Sequence, residues 1–115
     1  MIRMTVALTR LPSLGRAEFQ AYWIDRHAPL VASLAEILGI QGYIQLHTAV
    51  DDDRAPWLAP YDGLAEIRYA SRADFDARMS SPAGQAAGRV LRDDERRFID
   101  RSRSPRWWGV ERTIL

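Results

Sequence analysis

Apolar and polar residues follow two different periods along this chain. Every second residue is apolar over residues 2–10 and again over 40–50, which is the period of a half-buried β-strand. Apolar residues recur at every third or fourth position over 16–38, as expected of an amphipathic helix that ends at Gly39. Further elements are predicted in chain order: a strand at 62–70, a short helix capped by Ser71, a helix from Pro82 to about residue 100, and a strand at 107–114.

The order of these elements is β-α-β-β-α-β. Because each βαβ half needs a right-handed crossover, this order predicts a ferredoxin-like α+β fold, in which four antiparallel strands carry two helices on one face. With 115 residues, the chain is expected to form a single domain over 1–115. Apolar residues occur on both strand faces, for example at Trp107 and Trp108. The uncovered sheet face therefore predicts a symmetric homodimer.

Composition and charge exclude several classes of function. Sixteen basic and fifteen acidic residues leave a net charge of +1, so we expect neither a nucleic acid nor a membrane as a partner. The absence of cysteine and lysine excludes thiol and Schiff-base chemistry and is consistent with a reducing cytoplasm. No apolar run reaches the ~20 residues of a membrane span. With two histidines and no glycine-rich phosphate motif, we expect no metal, flavin or nicotinamide site.

The segment around His27 carries the strongest functional signal. Phe19, Trp23 and His27 are four residues apart and therefore share one stripe of the helix. Pro29 cannot donate a hydrogen bond to the carbonyl of Asp25, so the helix is expected to kink or restart there. An imidazole, two aromatic rings and a freed carbonyl group are thereby placed on or near one apolar face. The alternative is a core histidine bonded to a backbone carbonyl.

The same segment resembles the signature helix of EthD-domain proteins, which belong to the dimeric α+β barrel superfamily. The matching residues read F-x-x-Y-W-x-x-x-H-A-P-L from Phe19 to Leu30, and the stretches 62–67, 80–85 and 98–100 agree in order. The resemblance implies a small enzyme that acts on hydrophobic molecules. Associated reactions are ether degradation, oxidation or decarboxylation of aromatic polyketides, dehydration and, in close structural relatives, muconolactone isomerisation. Many such relatives need no cofactor, whereas other barrel relatives bind haem.

Catalytic chemistry is predicted at His27, Tyr43 and His47. An imidazole titrates near neutral pH, so His27 can act as a general base. Tyr43 and His47 share one face of the strand over 40–50, where they would supply an orienting hydroxyl group and a second proton donor if that face lines a cavity. If the face meets solvent instead, both are surface residues.

Four residues are predicted to bind the substrate: Phe19, Trp23, Arg26 and Trp57. The two rings of the stripe would form an aromatic wall for a flat apolar molecule, or serve only as core. Arg26 would hold a carboxylate or enolate oxygen, or lie solvated at the edge of the helix. Trp57, in a loop between two prolines, would act as a lid or contact a second subunit.

Asp94 and Glu95 are unusual because they accompany an apolar stripe. Asp94 is four residues from Val90 and from Phe98, so at least one carboxylate is predicted on or beside the apolar face of the second long helix. The first explanation is an ion pair with an arginine at the rim. The second is a general acid with a raised pKa.

These features predict a homodimeric enzyme that acts on a hydrophobic, aromatic or polyketide-like small molecule by cofactor-independent acid–base chemistry. His27 would move a proton, and Tyr43 or His47 would polarise an oxygen. Oxygenation, isomerisation and dehydration all remain open. The alternatives are a non-catalytic ligand-binding dimer and a haem-binding barrel protein with His27 or His47 as the axial ligand.

Overall fold

The computed structural model describes residues 1–49 and 60–115, and these form a ferredoxin-like α+β fold, as predicted. The strands are β1 (Ile2–Leu8), β2 (Ile40–His47), β3 (Gly63–Tyr69) and β4 (Arg106–Val110), and they form an antiparallel sheet in the order β2-β3-β1-β4. The helices are α1 (Arg16–Tyr22), α2 (Ala28–Leu38), α3 (Arg72–Ser80) and α4 (Pro82–Glu95). A π-helical turn (Trp23–His27) joins α1 to α2, and a 3₁₀ turn (Arg101–Arg103) precedes β4.

Strand alternation decides which side chains of the sheet meet the helices. In β1, Leu8 faces the helices and joins the buried core. In β2, Tyr43 and His47 lie on this same side. Tyr43 packs against the core, and His47 stacks on the indole ring of Trp23. Ile44 and Leu46 lie on the opposite face and are 49% and 63% exposed. The strand face that carries the two predicted catalytic residues is therefore the inner one.

The helix predicted over 16–38 is interrupted by one wider turn. The backbone N–H of Ala28 donates to the carbonyl oxygen of Trp23, five residues earlier. Pro29 falls in the first turn of α2, a position where proline is common in helices. The predicted restart is therefore present as a π-helical turn. The end of α2 is also as predicted, because Gly39 adopts the left-handed conformation with φ of 73°.

The core forms where the bent helix crosses the sheet. Phe19, Trp23 and Phe98 are at most 1% exposed, and the ring centroid of Phe19 lies 5.6 Å from that of Trp23 and 5.5 Å from that of Phe98. Gly63 of β3 allows the indole ring to approach the backbone, because a Cβ at this position would lie 2.8 Å from Cη2 of Trp23. This packing fixes the turn that carries His27.

The second long helix is shorter than predicted. It ends at Glu95 rather than near residue 100, because the following backbone pairs with the chain beyond β1. The N–H of Leu11 donates to the carbonyl oxygen of Phe98 at 3.0 Å, and a single β-bridge joins Arg10 to Ile99. The last strand likewise spans Arg106–Val110 instead of 107–114.

The sheet face away from the helices exposes large apolar side chains. In addition to the two residues of β2, Trp107 of β4 is 50% exposed on this face. Charged residues lie beside them, where Arg3 pairs with Glu111 at 2.8 Å. Among the described residues, no helix is both long enough and apolar enough to span a bilayer.

Candidate functional site

A cavity lies between the bent helix, α4 and the inner face of the sheet. Its volume is about 70 Å³, and its polar lining includes His27, Tyr43 and Glu95. An adjoining cavity of about 250 Å³ shares Glu95 and Arg106 with it. Together the two volumes reach the lower end of the ~300–1,000 Å³ range of small-molecule sites. The apolar wall includes Met4, Val6, Leu8, Trp23, Ile67 and Leu91.

His27 is oriented by Asp94 of α4. Nδ1 of the imidazole lies 2.8 Å from Oδ2 of Asp94. Because an ionised carboxylate can only accept, Nδ1 carries a proton and donates it, so a neutral ring would have its lone pair on Nε2. Both residues are 5% exposed, and the imidazole also packs against Phe98 at 5.0 Å. His27 is therefore held in the tautomer of a general base on the wall of the cavity.

Two further donors fix Asp94. The hydroxyl group of Tyr22 donates to Oδ1 at 2.5 Å, and the guanidinium group of Arg97 donates to the same oxygen at 3.1 Å. Burial by itself would raise the pKa of Asp94, but the hydrogen bonds from Tyr22, His27 and Arg97 outweigh it and hold that pKa below its usual value. Asp94 is therefore ionised at neutral pH and can stabilise the imidazolium that forms when His27 takes a proton.

A second polar group extends from β2. Nε2 of Gln45 donates to the hydroxyl oxygen of Tyr43 at 2.9 Å and to the carbonyl oxygen of Trp23 at 3.0 Å. Oε1 of Gln45 accepts a hydrogen bond from Nε2 of His47 at 2.8 Å. With its oxygen accepting from Gln45, Tyr43 can donate its own proton into the cavity. His47 is not among the described residues that line the cavity, and its contact toward Tyr43 runs through Gln45.

Burial sets the protonation of both ring side chains on β2. Burial raises the pKa of Tyr43, and hydrogen bonds from Gln45 and Trp23 offset only part of this effect, so the phenol keeps its proton. Burial lowers the pKa of His47, so its ring is neutral at pH 7. Tyr43 thus has a proton to donate at the cavity, whereas His47 contacts Gln45 and Trp23, so its predicted role as a second proton donor stays a prediction.

The structure separates the four predicted substrate-binding residues. Trp23 lines the cavity, and its ring stacks on His47 with centroids 4.5 Å apart. Phe19 lies behind it with no exposed surface, so it belongs to the core and not to the wall. Arg26 is exposed on the other side of the turn, because one residue of a helix rotates the side chain by about 100°. Trp57 lies outside the described residues, and its role as a lid or dimer contact stays a prediction.

Sequence reasoning placed Asp94 beside the apolar stripe but did not identify its partner. The contact with His27 joins residues 67 positions apart, so no local pattern reveals it. The ion pair with an arginine is present at Arg97, whereas the raised pKa considered for Asp94 is wrong because three donors stabilise its charge. Gln45 was not predicted to take part. Its only signal is its position between Tyr43 and His47 on one strand face.

A metal ion or a haem does not fit these side chains. Among the described residues, no three or more His, Asp and Glu side chains gather in a way that could hold a metal. The cavity of about 70 Å³ beside His27 is too small for a porphyrin. Nε2 of His47, the other candidate axial ligand, is already occupied by Gln45.

Comparison with known families agrees with this geometry. A model of the EthD domain matches residues 11–102. This range includes both His27 and Asp94. The chain belongs to the EthD domain family. The resemblance predicted from the segment around His27 is thereby confirmed, and the match extends over all four helices of this EthD domain.

Named proteins resemble this EthD domain over most of its length. The conidial pigment biosynthesis dehydratase EthD of Metarhizium robertsii is 26% identical over 113 residues, which cover 90% of this chain and 78% of the relative. SnoaB, a cofactor-independent oxygenase from Streptomyces nogalater, superposes with a TM-score of 0.56 at 16% identity, covering 99% of this chain and 95% of SnoaB. A dimeric ferredoxin-like protein of unknown function from Thermobifida fusca superposes with a TM-score of 0.61 at 12% identity, covering 96% and 90%. The superpositions support the ferredoxin-like fold.

Proposed function

We propose that this EthD domain is an enzyme that moves a proton on a hydrophobic, aromatic or polyketide-like small molecule without a bound cofactor. The observation that carries the proposal is the His27–Asp94 hydrogen bond of 2.8 Å on the wall of a largely apolar cavity. A buried base with a fixed tautomer has little value for packing but suits general base catalysis. The similarity to a conidial pigment biosynthesis dehydratase and to a cofactor-independent oxygenase supports this type of reaction.

The geometry assigns a role to each cavity residue. Nε2 of His27 removes a proton from a carbon beside a carbonyl group, and Asp94 stabilises the imidazolium that results. The hydroxyl group of Tyr43 donates to the carbonyl oxygen as it becomes an enolate. Trp23 supplies a flat wall for the ring system. The enolate can then react with oxygen, lose a β-hydroxyl group or be protonated elsewhere, so one first step serves oxygenation, dehydration and isomerisation.

Because all three reactions share this first step, the test is proton exchange. Aromatic ketones with an acidic C–H beside the carbonyl are incubated with the protein in D₂O, and loss of the C–H signal is followed by NMR. We expect the protein to accelerate exchange and His27→Asn to lower the rate by about 10²–10⁴-fold, the usual contribution of a general base. Tyr43→Phe should also lower the rate, because the enolate oxygen loses its donor.

The control separates catalysis from folding. Arg26→Gln changes an exposed neighbour of His27 and should leave the exchange rate unchanged. Melting temperature and mass in solution show whether each variant is folded. If folded His27→Asn retains the wild-type exchange rate, His27 is not the base. If it unfolds, the interpretation as a core histidine is correct.

We also propose that two copies pair through the outer face of the sheet. Ile44, Leu46 and Trp107 are each about half exposed or more on this face, and a similar solved structure is described as dimeric. Leu46→Arg should convert the dimer to a monomer in sedimentation velocity. Ile37→Arg, on an exposed position of α2, is the matched control and should not alter the mass. A wild-type protein that sediments as a monomer contradicts this assembly.

A further inference from the structure

Glu95 carries a buried carboxylate oxygen whose hydrogen-bonding capacity is unused. It is the last residue of α4, it lines both cavities, and its side chain is 18% exposed. Oε2 is buried and has no hydrogen-bond partner among residues 1–49 and 60–115. A buried acceptor without a donor costs free energy and therefore needs an explanation.

Two arginines approach this oxygen without bonding to it. Nη2 of Arg106 lies 3.8 Å from Oε2 of Glu95, and Nε of Arg101 lies 3.9 Å from it. Both distances exceed those of a hydrogen bond, so the guanidinium groups balance the charge of the carboxylate while their donors stay available. One end of the cavity thus presents an acceptor and donors side by side.

Most of the surrounding wall is apolar. Met4, Ile67 and Leu91 line both cavities next to Glu95. A ligand that matches this surface has a flat apolar body with one small polar group at the Glu95 end. A carboxylate on the ligand has no proton to donate to Oε2 of Glu95, and an ammonium group has no lone pair to accept from the two arginines. A neutral hydroxyl group meets both requirements, because it donates to Oε2 and accepts from a guanidinium group.

We propose that Glu95 is the specificity-determining residue that selects a phenol or enol, with its hydroxyl group bonded to Oε2 and its ring between Trp23 and Leu91. This inference rests on the proposed function only in placing the substrate in the same cavity. It narrows the substrate class from hydrophobic molecules to hydroxyl-bearing aromatic or enolic ones. Discrimination of this kind is strong because the analogue without the hydroxyl group leaves the buried carboxylate unpaired.

The test compares 1-naphthol with 1-methylnaphthalene, which replaces the hydroxyl group by a methyl group of similar size. Binding is measured at pH 7 by isothermal titration calorimetry, with protein titrated into ligand. We expect the wild-type protein to bind 1-naphthol about tenfold or more tightly than 1-methylnaphthalene, since the hydrogen bond is to a charged acceptor. Glu95→Gln should reduce this ratio to a few-fold, and Glu95→Met should invert it. Glu36→Gln, an exposed position on α2, should leave the ratio unchanged.

Thermal unfolding distinguishes ligand selection by Glu95 from a structural role of this residue. Because Oε2 makes no hydrogen bond within the described chain, Glu95→Gln and Glu95→Met should melt at or above the wild-type temperature. If both variants lose stability and fail to fold, Glu95 is a structural ion-pair residue and the proposal is overturned. Equal affinity of the wild-type protein for the two probes, binding of neither, or an unchanged ratio in folded Glu95→Gln also overturns it.

The outcome for Glu95 is independent of the outcome for the proposed catalysis. His27→Asn should keep the preference for 1-naphthol, because the hydroxyl contact does not involve the imidazole. If proton exchange is absent while the preference is present, only the proposed reaction is wrong. If exchange depends on His27 but the preference is absent, only the selection by Glu95 is wrong.

Discussion

Replacing Asp94 with asparagine tests both the proposed base, His27, and the carboxylate that orients it. The hydroxyl group of Tyr22 and Nδ1–H of His27 donate to different oxygens of the carboxylate. The amide of asparagine accepts at one atom and donates at the other, so one of these donors must lose its acceptor. Since a hydrogen bond to a charged group contributes about 1.5–3 kcal/mol, we expect Asp94→Asn to lower the free energy of unfolding by about 2 kcal/mol at pH 7.

The variant should also change the tautomer of His27. If the amide NH₂ group faces the imidazole, Nδ1 must accept and the proton moves to Nε2, where it blocks the base. Nitrogen-15 NMR of the ring reports which nitrogen carries the proton, and the His27 signal is identified by its loss in His27→Asn. We expect Nδ1–H in the wild-type protein, and either Nε2–H or a mixture of tautomers in Asp94→Asn.

The loss of stability should depend on pH with a definite sign. The pKa of Asp94 is held below its unfolded value of about 3.9, so its contribution is fully present above that value and is lost as pH falls through the folded pKa. The difference between the two proteins in urea unfolding should therefore be largest near neutral pH and smaller below about pH 4.

The matched control is the same substitution one residue earlier. Among residues 1–49 and 60–115, Asp93 pairs with Arg96 alone, and both side chains are about two-thirds exposed, so Asp93→Asn should change the unfolding free energy by less than about 1 kcal/mol. Equal stability of Asp94→Asn and Asp93→Asn, together with an unchanged His27 tautomer, would refute the assignment of Asp94 as the partner of the base.

Three further changes test the packing around the site. Gly63→Ala would place a methyl group against the ring of Trp23 and should cost about 1–3 kcal/mol in urea unfolding, whereas Gly109→Ala has open space and should not. Because the pKa of His47 is lowered by burial, the wild-type protein should lose stability as pH falls below about 6.5, and His47→Gln should reduce that loss. Gln45→Leu should lower the melting temperature, because it leaves the carbonyl oxygen of Trp23 without its side-chain donor.

The fold and the main functional helix could be predicted because their signals are local. The alternation in β1 and β2 and the stop at Gly39 are each encoded within a few residues. The burial of His27 follows from the same spacing as that of Trp23. These features are determined by the sequence near them, and the structure agrees with them.

The features that could not be predicted depend on distant contacts. The partner of His27 comes from α4, and the end of that helix is decided by pairing with the chain beyond β1. The inner face of β2 is chosen by which side the helices cover, a choice that an alternating pattern leaves open. Glu95 is recognised as unusual only in the structure, where Arg101 and Arg106 approach its Oε2 without forming a hydrogen bond.

The π-helical turn holds one residue more than a regular α-helix would need between Trp23 and Val31. In a regular α-helix, side chains four residues apart differ by about 40° around the axis. A row of residues with this spacing therefore turns gradually away from the sheet. The extra residue in the turn offsets this rotation between Trp23 and Val31, so both side chains face the core. Deleting the exposed Ile24 would return the segment to a regular α-helix with seven residues from Trp23 to Val31, about 20° apart around the axis, so Val31 would stay inward. An inserted residue would instead rotate α2 by about 100° and turn Val31 toward water, so the packing of α2 tolerates the loss of one residue here but not the gain of one.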